Sequence, residues 1–132
     1  MRGDIMISEK SKKIIENYIM AYNSFDIESM VKLLHKEIMF RNFTNGDMNT
    51  ETRGIQEFKE LAEKSSKIFS RRRQTVIDYN AIEDKAEVQI EYEAILAVDL
   101  PNGLNSGDKI QLKGKSIFGL NEGKISLIED YS

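Results

Sequence analysis

The spacing of apolar residues changes once along this chain, close to Ser70. Before Ser70, apolar side chains recur every three or four residues, as on one face of a helix. After it they recur every second residue, as on one face of a strand. Helices that precede a run of strands indicate an α+β fold with the helices on one face of an antiparallel sheet. We therefore expect N-terminal helices packed into a strongly curved antiparallel sheet.

Length and composition narrow the class of protein. The 132 residues fit one domain, which we predict to span residues 1–132 with a flexible segment over residues 1–7. The chain has no cysteine, which excludes disulfides and thiolate metal sites. Residues 1–10 lack the apolar run of a secretory signal, and no apolar stretch is long enough to span a bilayer. We therefore expect a cytoplasmic protein without a membrane partner.

The charge of the chain argues against a nucleic-acid partner. The net charge is -3, and acidic and basic residues are mixed along the sequence. The one basic cluster, Arg71 to Arg73, is interpreted as a solvated edge at a helix-to-strand junction. We expect no nucleic acid among the partners.

Three helices are predicted in the N-terminal half, and two of them begin with a recognisable cap. Ser8 suits the N-cap of the first helix, and Asp26 that of a short second one. The predicted bounds are Ser8–Ser24 for the first helix, Gly54 to about Phe69 for the third, and 38–43 for a strand between the second and third.

Two long strands alternate between apolar and charged side chains, and we predict that they are antiparallel neighbours. They cover Lys85–Leu100 and 109–120. Opposite charges across the pair stabilise it by a few tenths of a kcal/mol each. The predicted register pairs Glu93 with Lys115, Asp99 with Lys109, Tyr92 with Ser116, and Ala94 with Gly114.

Apolar side chains interrupt the charged, outer face of these strands. Ile95 and Ala97 stand where alternation predicts polar residues, and Ile117 belongs to the same face. A covered patch explains such residues. We predict a homodimer formed through the outer sheet face. A non-enzymatic dimeric binding or interaction module is therefore an alternative function.

The last hairpin decides which acidic residue faces inward. A three-residue loop over Asn121–Gly123 places Asp130 on the inner face opposite Gly114, whereas a two-residue loop would place Glu129 there. Gly114 and Ser116 are small and leave room for a ligand. The alternatives are that helical side chains fill this space, or that Gly114 is a bend in a curved strand.

Asp130 is the best candidate for acid–base chemistry. Burial on an apolar face raises the pKa of a carboxyl group towards the range useful for proton transfer. The alternative is a solvated rim position, or an ion pair with Arg41 or Arg73. Tyr18 and Tyr22 lie one helical turn apart, and either hydroxyl could donate to a ligand carbonyl. The alternative is that they are core aromatics whose hydroxyls bond the backbone, and this is the interpretation that we favour for Tyr22.

Other catalytic motifs are missing from the sequence. It has no Gly-rich phosphate loop, no metal-ligand spacing and no nucleophile elbow, so we expect neither a metal nor a cofactor. The single histidine, His35, is interpreted as an exposed residue at the end of the second helix.

Short motifs along nearly the whole chain resemble a known superfamily. They are Asn17-Tyr18-Ile19, Asp26-Ile27-Glu28, Arg41-Asn42-Phe43, Thr52-Arg53-Gly54-Ile55, Gly123-Lys124-Ile125 and Glu129-Asp130-Tyr131. With them the chain resembles the nuclear transport factor 2-like superfamily, with its cystatin-like α+β cone, and within it the SnoaL-like proteins. The resemblance implies a cone with a pocket. It leaves the activity open, because the superfamily holds isomerases, cyclases, epoxide hydrolases, dehydratases and binding proteins.

The resemblance also implies roles for particular positions. Against ketosteroid isomerase, the oxyanion-donating tyrosine falls on Tyr18, the catalytic base on Asn42, and a second donor on about Ser116. An amide cannot remove a proton from carbon, so a standard ketosteroid isomerase is not expected. Against SnoaL-like cyclases, an acid–base aspartate falls near Asp130.

We therefore expect a pocket that binds a small, mostly apolar, carbonyl-bearing molecule. Whether it also performs isomerase-, cyclase- or lyase-like acid–base catalysis without a metal stays open. In a catalyst, Asp130 would be the acid–base residue, and Tyr18 or Asn42 would stabilise the oxygen that gains charge. The other predicted ligand-binding residues are Tyr22, Phe40, Tyr92, Ser116 and Phe118.

Overall fold

The computed structural model describes residues 7–132, in which three helices pack into a curved, unclosed sheet of six strands. This confirms the α+β cone. The helices are α1 (Glu9–Asn23), α2 (Ile27–Lys32) and α3 (Gly54–Ser66). The strands are β1 (Leu34–Thr44), β2 (Asp47–Arg53), β3 (Phe69–Ile82), β4 (Lys85–Leu96), β5 (Lys109–Asn121) and β6 (Lys124–Tyr131). The flexible segment predicted for residues 1–7 falls outside the described residues except for Ile7, which packs against the core.

The helix caps form as the sequence predicts. The Ser8 side chain accepts a hydrogen bond from the Ser11 amide at 3.0 Å, and Asp26 Oδ1 accepts one from the Ser29 amide at 3.1 Å. The third helix ends three residues earlier than predicted, at Ser66. Pairing with the chain beyond β4 ends it, because the Ala97 amide donates to Ile68 O at 2.7 Å. None of the helices in residues 7–132 is long and apolar enough to cross a membrane.

The strand order is β2-β1-β6-β5-β4-β3. Four of the five neighbouring pairs are antiparallel, and β1 and β6 are parallel, which differs from the all-antiparallel sheet predicted. Strand β2 was not predicted either, because its sequence has no apolar alternation. It follows a tight turn in which Asn45 and Gly46 both have positive φ, as a type I′ turn requires.

The predicted register between β4 and β5 is wrong by four residues. Tyr92 pairs with Leu112 rather than Ser116, and Ser116 pairs with Val88. Strand β4 ends at Leu96, where the loop over 97–108 begins and forms its own hydrogen bonds, including Leu100 N to Leu104 O at 2.7 Å. A shift by an even number keeps each side chain on its predicted face.

The charge pairs that suggested that register therefore do not form. Lys115 Nζ lies 3.3 Å from Glu87, and Lys109 Nζ lies 3.9 Å from Glu93. Both partners are two residues out of direct cross-strand opposition, within the reach of lysine side chains.

The last hairpin turns on two residues, not three. Glu122 and Gly123 have φ of 54° and 76°, again a type I′ turn. That loop alone would place Glu129 inside. A bulge in β6 restores the predicted orientation, because Gly119 pairs with Leu127 while Leu120 pairs with Ile125, which leaves one extra residue in β6.

Asp130 consequently lies inside, opposite Ser116 rather than Gly114. Gly114 is explained by the end of β6, because a Cβ at this position would collide with the backbone carbonyl of Tyr131. Its small size is thus a requirement of strand packing as well as a contribution to the cavity.

The histidine interpretation is also wrong. His35 lies in β1, and its side chain is only 10% exposed. Its Nδ1 accepts a hydrogen bond from the Glu37 amide at 3.1 Å, and its Nε2 lies 3.5 Å from Glu122. The second helix ends at Lys32, so His35 lies in the sheet rather than at the end of a helix. The core below it includes Ile15, Ile38, Val88, Phe118, Ile125 and Ile128.

Candidate ligand-binding cavity

A cavity of about 380 Å³ lies between the helices and the inner face of the sheet. All eight residues predicted for the pocket line it: Tyr18, Tyr22, Phe40, Asn42, Tyr92, Ser116, Phe118 and Asp130. Helical side chains therefore do not fill the whole space. Much of the remaining wall is apolar and includes Met30, Phe58, Leu61, Ile90 and Leu112.

Asp130 and Ser116 form the acidic centre of the wall. Ser116 Oγ donates to Asp130 Oδ1 at 2.6 Å, and Ser116 is buried. Burial raises the pKa of Asp130 to about 6, against a smaller lowering by the Ser116 hydrogen bond. The alternative of an ion pair with Arg41 or Arg73 is wrong, because Arg41 binds Glu51 and Glu129 at 2.8 Å each and Arg73 is exposed.

Tyr18 projects from α1 into the same cavity. Its ring packs edge-on against Phe118, with 5.9 Å between the ring centroids. Burial, and after it the charge of Asp130, raises the pKa of this phenol well above its ordinary value. Its hydroxyl has no side-chain hydrogen bond to another residue in the described part of the chain. Tyr18 is thus a protonated donor that is free to bond a ligand.

Tyr22 and Tyr92 bond each other. Their hydroxyl oxygens are 3.1 Å apart, so the expected bond from Tyr22 to the backbone is replaced by one to a side chain. Burial raises the pKa of both phenols, and the positive charge of Arg72 opposes the rise. Both remain neutral at physiological pH and add a polar group to the wall.

Asn42 lies beside Asp130 in the register of β1 and β6. Its Nδ2 donates to Asn49 Oδ1 at 3.0 Å, and Asn49 in turn donates to Thr44 Oγ1 at 2.8 Å. Its side chain is therefore held in place by the neighbouring strand β2. It can contribute a carbonyl oxygen to the cavity, but no proton-accepting base.

Arg72 is a cavity residue that we did not predict. The solvated-edge interpretation holds for Arg71 and Arg73, which are exposed, but Arg72 is 5% exposed and lines the cavity. Its Nε donates to Tyr22 O at 2.8 Å, and its guanidinium carbon lies 3.7 Å from the centroid of the Tyr22 ring. The sequence carried a signal for Arg72 in the alternation of β3. Every second residue before the partly buried Val76 faces inward, which places Gln74 and Arg72 on the inner face.

A comparison with known families identifies the chain. A model of the SnoaL-like domain matches residues 15–128. The chain belongs to the SnoaL-like domain family. No curated protein sequence is significantly similar to it.

Solved structures share the fold of this SnoaL-like protein at low sequence identity. A protein from Xanthomonas campestris, provisionally called a polyketide cyclase, has a TM-score of 0.80 at 13% identity, over 94% of this chain and 90% of that one. A second provisional polyketide cyclase, from Pseudomonas putida, has a TM-score of 0.70 at 19% identity, over 90% and 88%. A nuclear transport factor 2-like protein of unknown function from Burkholderia pseudomallei has a TM-score of 0.72 at 12% identity, over 93% and 90%.

The SnoaL-like domain brings together the positions to which the family resemblance gave roles. Tyr18, Asn42, Ser116 and Asp130 line one cavity, and Asp130 has Ser116 and Asn42 as neighbours on either side in the sheet. No group of three acidic or histidine residues that could hold a metal ion occurs within residues 7–132. The functional roles of these residues stay predictions.

The three residues predicted for the dimer contact do not form one patch. Ile95 pairs with Lys109 and Ile117 with Glu87, so they lie eight residues apart along β4, about 26 Å. Ala97 lies beyond the end of β4 and bonds Ile68. Dimerisation through the outer face stays a prediction, and Ile117 could contribute to it only as a contact separate from Ile95.

Proposed function

We propose that this SnoaL-like protein binds a small, mostly apolar molecule bearing a carbonyl group, and that Asp130 exchanges a proton with it. The observation that carries the proposal is the Asp130–Ser116 pair in the cavity wall, where burial raises the pKa of Asp130 to about 6. Family membership, and the fold shared with proteins provisionally called polyketide cyclases, support a role of this kind.

Asp130 would serve as the base. At neutral pH a carboxyl group with a pKa of about 6 is mostly ionised, yet it is a much stronger base than an exposed aspartate. Ser116 binds Oδ1 and fixes the orientation of the group. Oδ2 is then available to a carbon-bound proton of the ligand.

Tyr18 would stabilise the charge that forms on the ligand. When Asp130 removes a proton from the carbon next to a carbonyl, the C–H bond breaks and an O–H bond forms on Asp130. The electron pair moves to the carbonyl oxygen, which becomes an enolate. A neutral phenol that already faces the cavity can donate to that oxygen without reorganising. In a conjugated ligand, return of the proton from Asp130 to the far carbon of the dienolate gives isomerisation. Attack of the enolate on another carbonyl, whose oxygen then takes the proton from Asp130, gives cyclisation.

The dimensions of the cavity fit such a ligand. A volume of about 380 Å³ falls in the lower part of the range of roughly 300–1,000 Å³ that small-molecule sites occupy. The aromatic and aliphatic side chains of the wall favour an apolar body. Polar groups form two clusters in the wall, one of Asp130, Ser116 and Asn42 and one of Tyr22, Tyr92 and Arg72, and two such clusters favour a fixed orientation of the ligand.

Hydrogen exchange of a simple ketone tests the proposal. We would incubate the protein with α-tetralone in D₂O, follow loss of its α-protons by NMR, and measure its binding by calorimetry. We expect exchange faster than in buffer, and a loss of roughly 100-fold or more in Asp130→Asn. Glu129→Gln is the matched control, since it removes the adjacent carboxylate on the outer face.

Two outcomes would contradict the proposal at different levels. Binding of α-tetralone without accelerated exchange would reject the proton transfer and leave a binding protein, the alternative function. Equal exchange rates in the wild type and Asp130→Asn would remove Asp130 from the chemistry.

A further inference from the structure

The guanidinium of Arg72 is a buried charge without a carboxylate partner. Arg72 is 5% exposed, and within residues 7–132 no acidic side chain lies within 4.0 Å of it, whereas Arg41 has two such partners. A buried charge is costly unless it is paired and hydrogen-bonded. The structure must therefore either compensate the charge or reserve it for another group.

Its surroundings compensate it only in part. The carbonyl of Tyr22 at the C-terminal end of α1 accepts from Nε, and the last turn of that helix has no basic residue of its own. A cation at this end of a helix is favourable, as is its stacking on the rings of Tyr22 and Phe25. The Nη2 atom, however, is buried and has no hydrogen-bond partner. A structural role for Arg72 explains Nε and leaves Nη2 unexplained.

The position of Arg72 in the cavity relates it to Asp130. The two residues lie on β3 and β6, with β4 and β5 between them, and both line the cavity. Tyr18 lies within the field of both charges, because Asp130 raises its pKa and Arg72 lowers it. A ligand in this space would meet an acid–base group at one place and a cation at another.

We infer that Arg72 is an anion subsite that binds a carboxylate of the ligand. The inference rests on the proposed function and narrows it to apolar carbonyl compounds that also carry a carboxylate. A single charge matches a single arginine, whereas a phosphate dianion needs further cations. Lys115 also borders the cavity, but its side chain belongs to the outer face of β5, where its Nζ lies 3.3 Å from Glu87. Because Nη2 is buried, the carboxylate reaches it only when the side chains over it move aside.

A pair of isosteric probes tests the subsite. We would measure the affinities of β-naphthoate and of the neutral β-naphthamide by calorimetry at pH 7.5. We expect the wild type to bind the carboxylate about tenfold more tightly, as a charge-assisted hydrogen bond provides. Arg72→Met should remove this preference by weakening only the binding of β-naphthoate. Arg71→Met and Arg73→Met, at the exposed neighbouring positions, should retain it.

If Arg72→Met does not fold, the ratio of the wild-type affinities for β-naphthoate and β-naphthamide still tests the subsite. In that case Arg72→Lys, which keeps the charge but loses the planar fork, should reduce the preference. Equal affinities of the wild type for the two probes would overturn the subsite and leave the proposed apolar binding intact. A preference that survives in Arg72→Met would also overturn it. Failure of both probes to bind would reject the subsite together with the binding function.

Discussion

The two faces of the sheet treat charged side chains in opposite ways. On the outer face, Arg41 binds Glu51 and Glu129, and Lys115 lies beside Glu87. On the inner face, Asp130 and Arg72 are both in the cavity wall, and neither has a charged partner within residues 7–132. Charges that pair with each other are explained by their contribution to the folded structure. Separated charges in an apolar cavity are costly for folding, and their cost indicates a role in binding.

The largest effect on stability is expected at Gly114, which lies against the end of β6, the strand that carries Asp130 on its inner face. Gly114→Val would drive a side chain into the backbone carbonyl of Tyr131 and force the end of β6 away from β5. We expect a loss of about 3 kcal/mol in the free energy of unfolding, measured by urea denaturation. Gly119→Ala is the control, because its Cβ would meet side-chain atoms and no backbone, with Leu127 Cβ at 3.1 Å and Ser126 Oγ at 3.8 Å. Equal effects of the two substitutions would contradict this explanation of Gly114.

Removing the inner-face charge should stabilise the protein. Burial raises the pKa of Asp130 from its ordinary 3.8 to about 6, so the folded state holds a proton that the unfolded state has released between these values. Wild-type stability should therefore fall as the pH rises from about 4 to 6 and stay low above that. Asp130→Asn should remove this loss, which amounts to about 3 kcal/mol for a shift of this size.

Unfolding of the wild type and Asp130→Asn from pH 4 to pH 8 measures this difference. Glu129→Gln, which removes a paired carboxylate from the outer face, should show no gain in stability at pH 8. Stability that rises with pH in the wild type alone would mean that Asp130 is stabilised in its charged form, contrary to its position in the cavity.

Breaking an outer-face pair should have a smaller effect. The Arg41 side chain is 30% exposed, so its pairs with Glu51 and Glu129 are partly screened by solvent. A double-mutant cycle with Arg41→Met and Glu129→Gln should give a coupling free energy of about 1 kcal/mol, and less in high salt. A coupling that salt leaves unchanged would show that this face is less solvated than the structure indicates.

The smallest effect is expected at the hydroxyl pair of the inner face. Tyr92→Phe removes the 3.1 Å bond to Tyr22 but leaves the rings in contact with each other. We expect a loss of about 1 kcal/mol or less in unfolding free energy. A loss of several kcal/mol would show that the pair is structural rather than a polar group available to a ligand.

Faces were easier to predict from this sequence than registers. Period-two alternation put Ser116 and Tyr92 on the inner face, the predicted hairpin loop put Asp130 there, and all three line the cavity. The cross-strand partners predicted for them were wrong. We had inferred the register from charge pairs worth a few tenths of a kcal/mol, whereas the hydrogen-bonded loop over 97–108 determines it. The bulge in β6 has no evident sequence signal. The predicted three-residue turn was also wrong, and the bulge compensates for the two-residue turn that forms instead.

Arg72 was missed for a different reason. Three consecutive arginines suggest a solvated cluster, but in a strand the middle one must face opposite to the other two. Strand β2 could not be predicted from apolar periodicity, since Thr52 is its one buried residue. Both errors concern polar residues in the sheet. Strand alternation could have found Arg72, whereas for β2 only tertiary contacts decide.

The titration of Asp130 tests the central claim most directly. The carboxyl carbon of Asp130 can be followed by ¹³C NMR from pH 3 to pH 9, and assigned by its loss in Asp130→Asn. A pKa of about 6 is the predicted result, since burial in the cavity outweighs the Ser116 hydrogen bond. A pKa near the ordinary 3.8 would contradict it, because the carboxylate would then be solvated or paired and no stronger a base than those of the outer face.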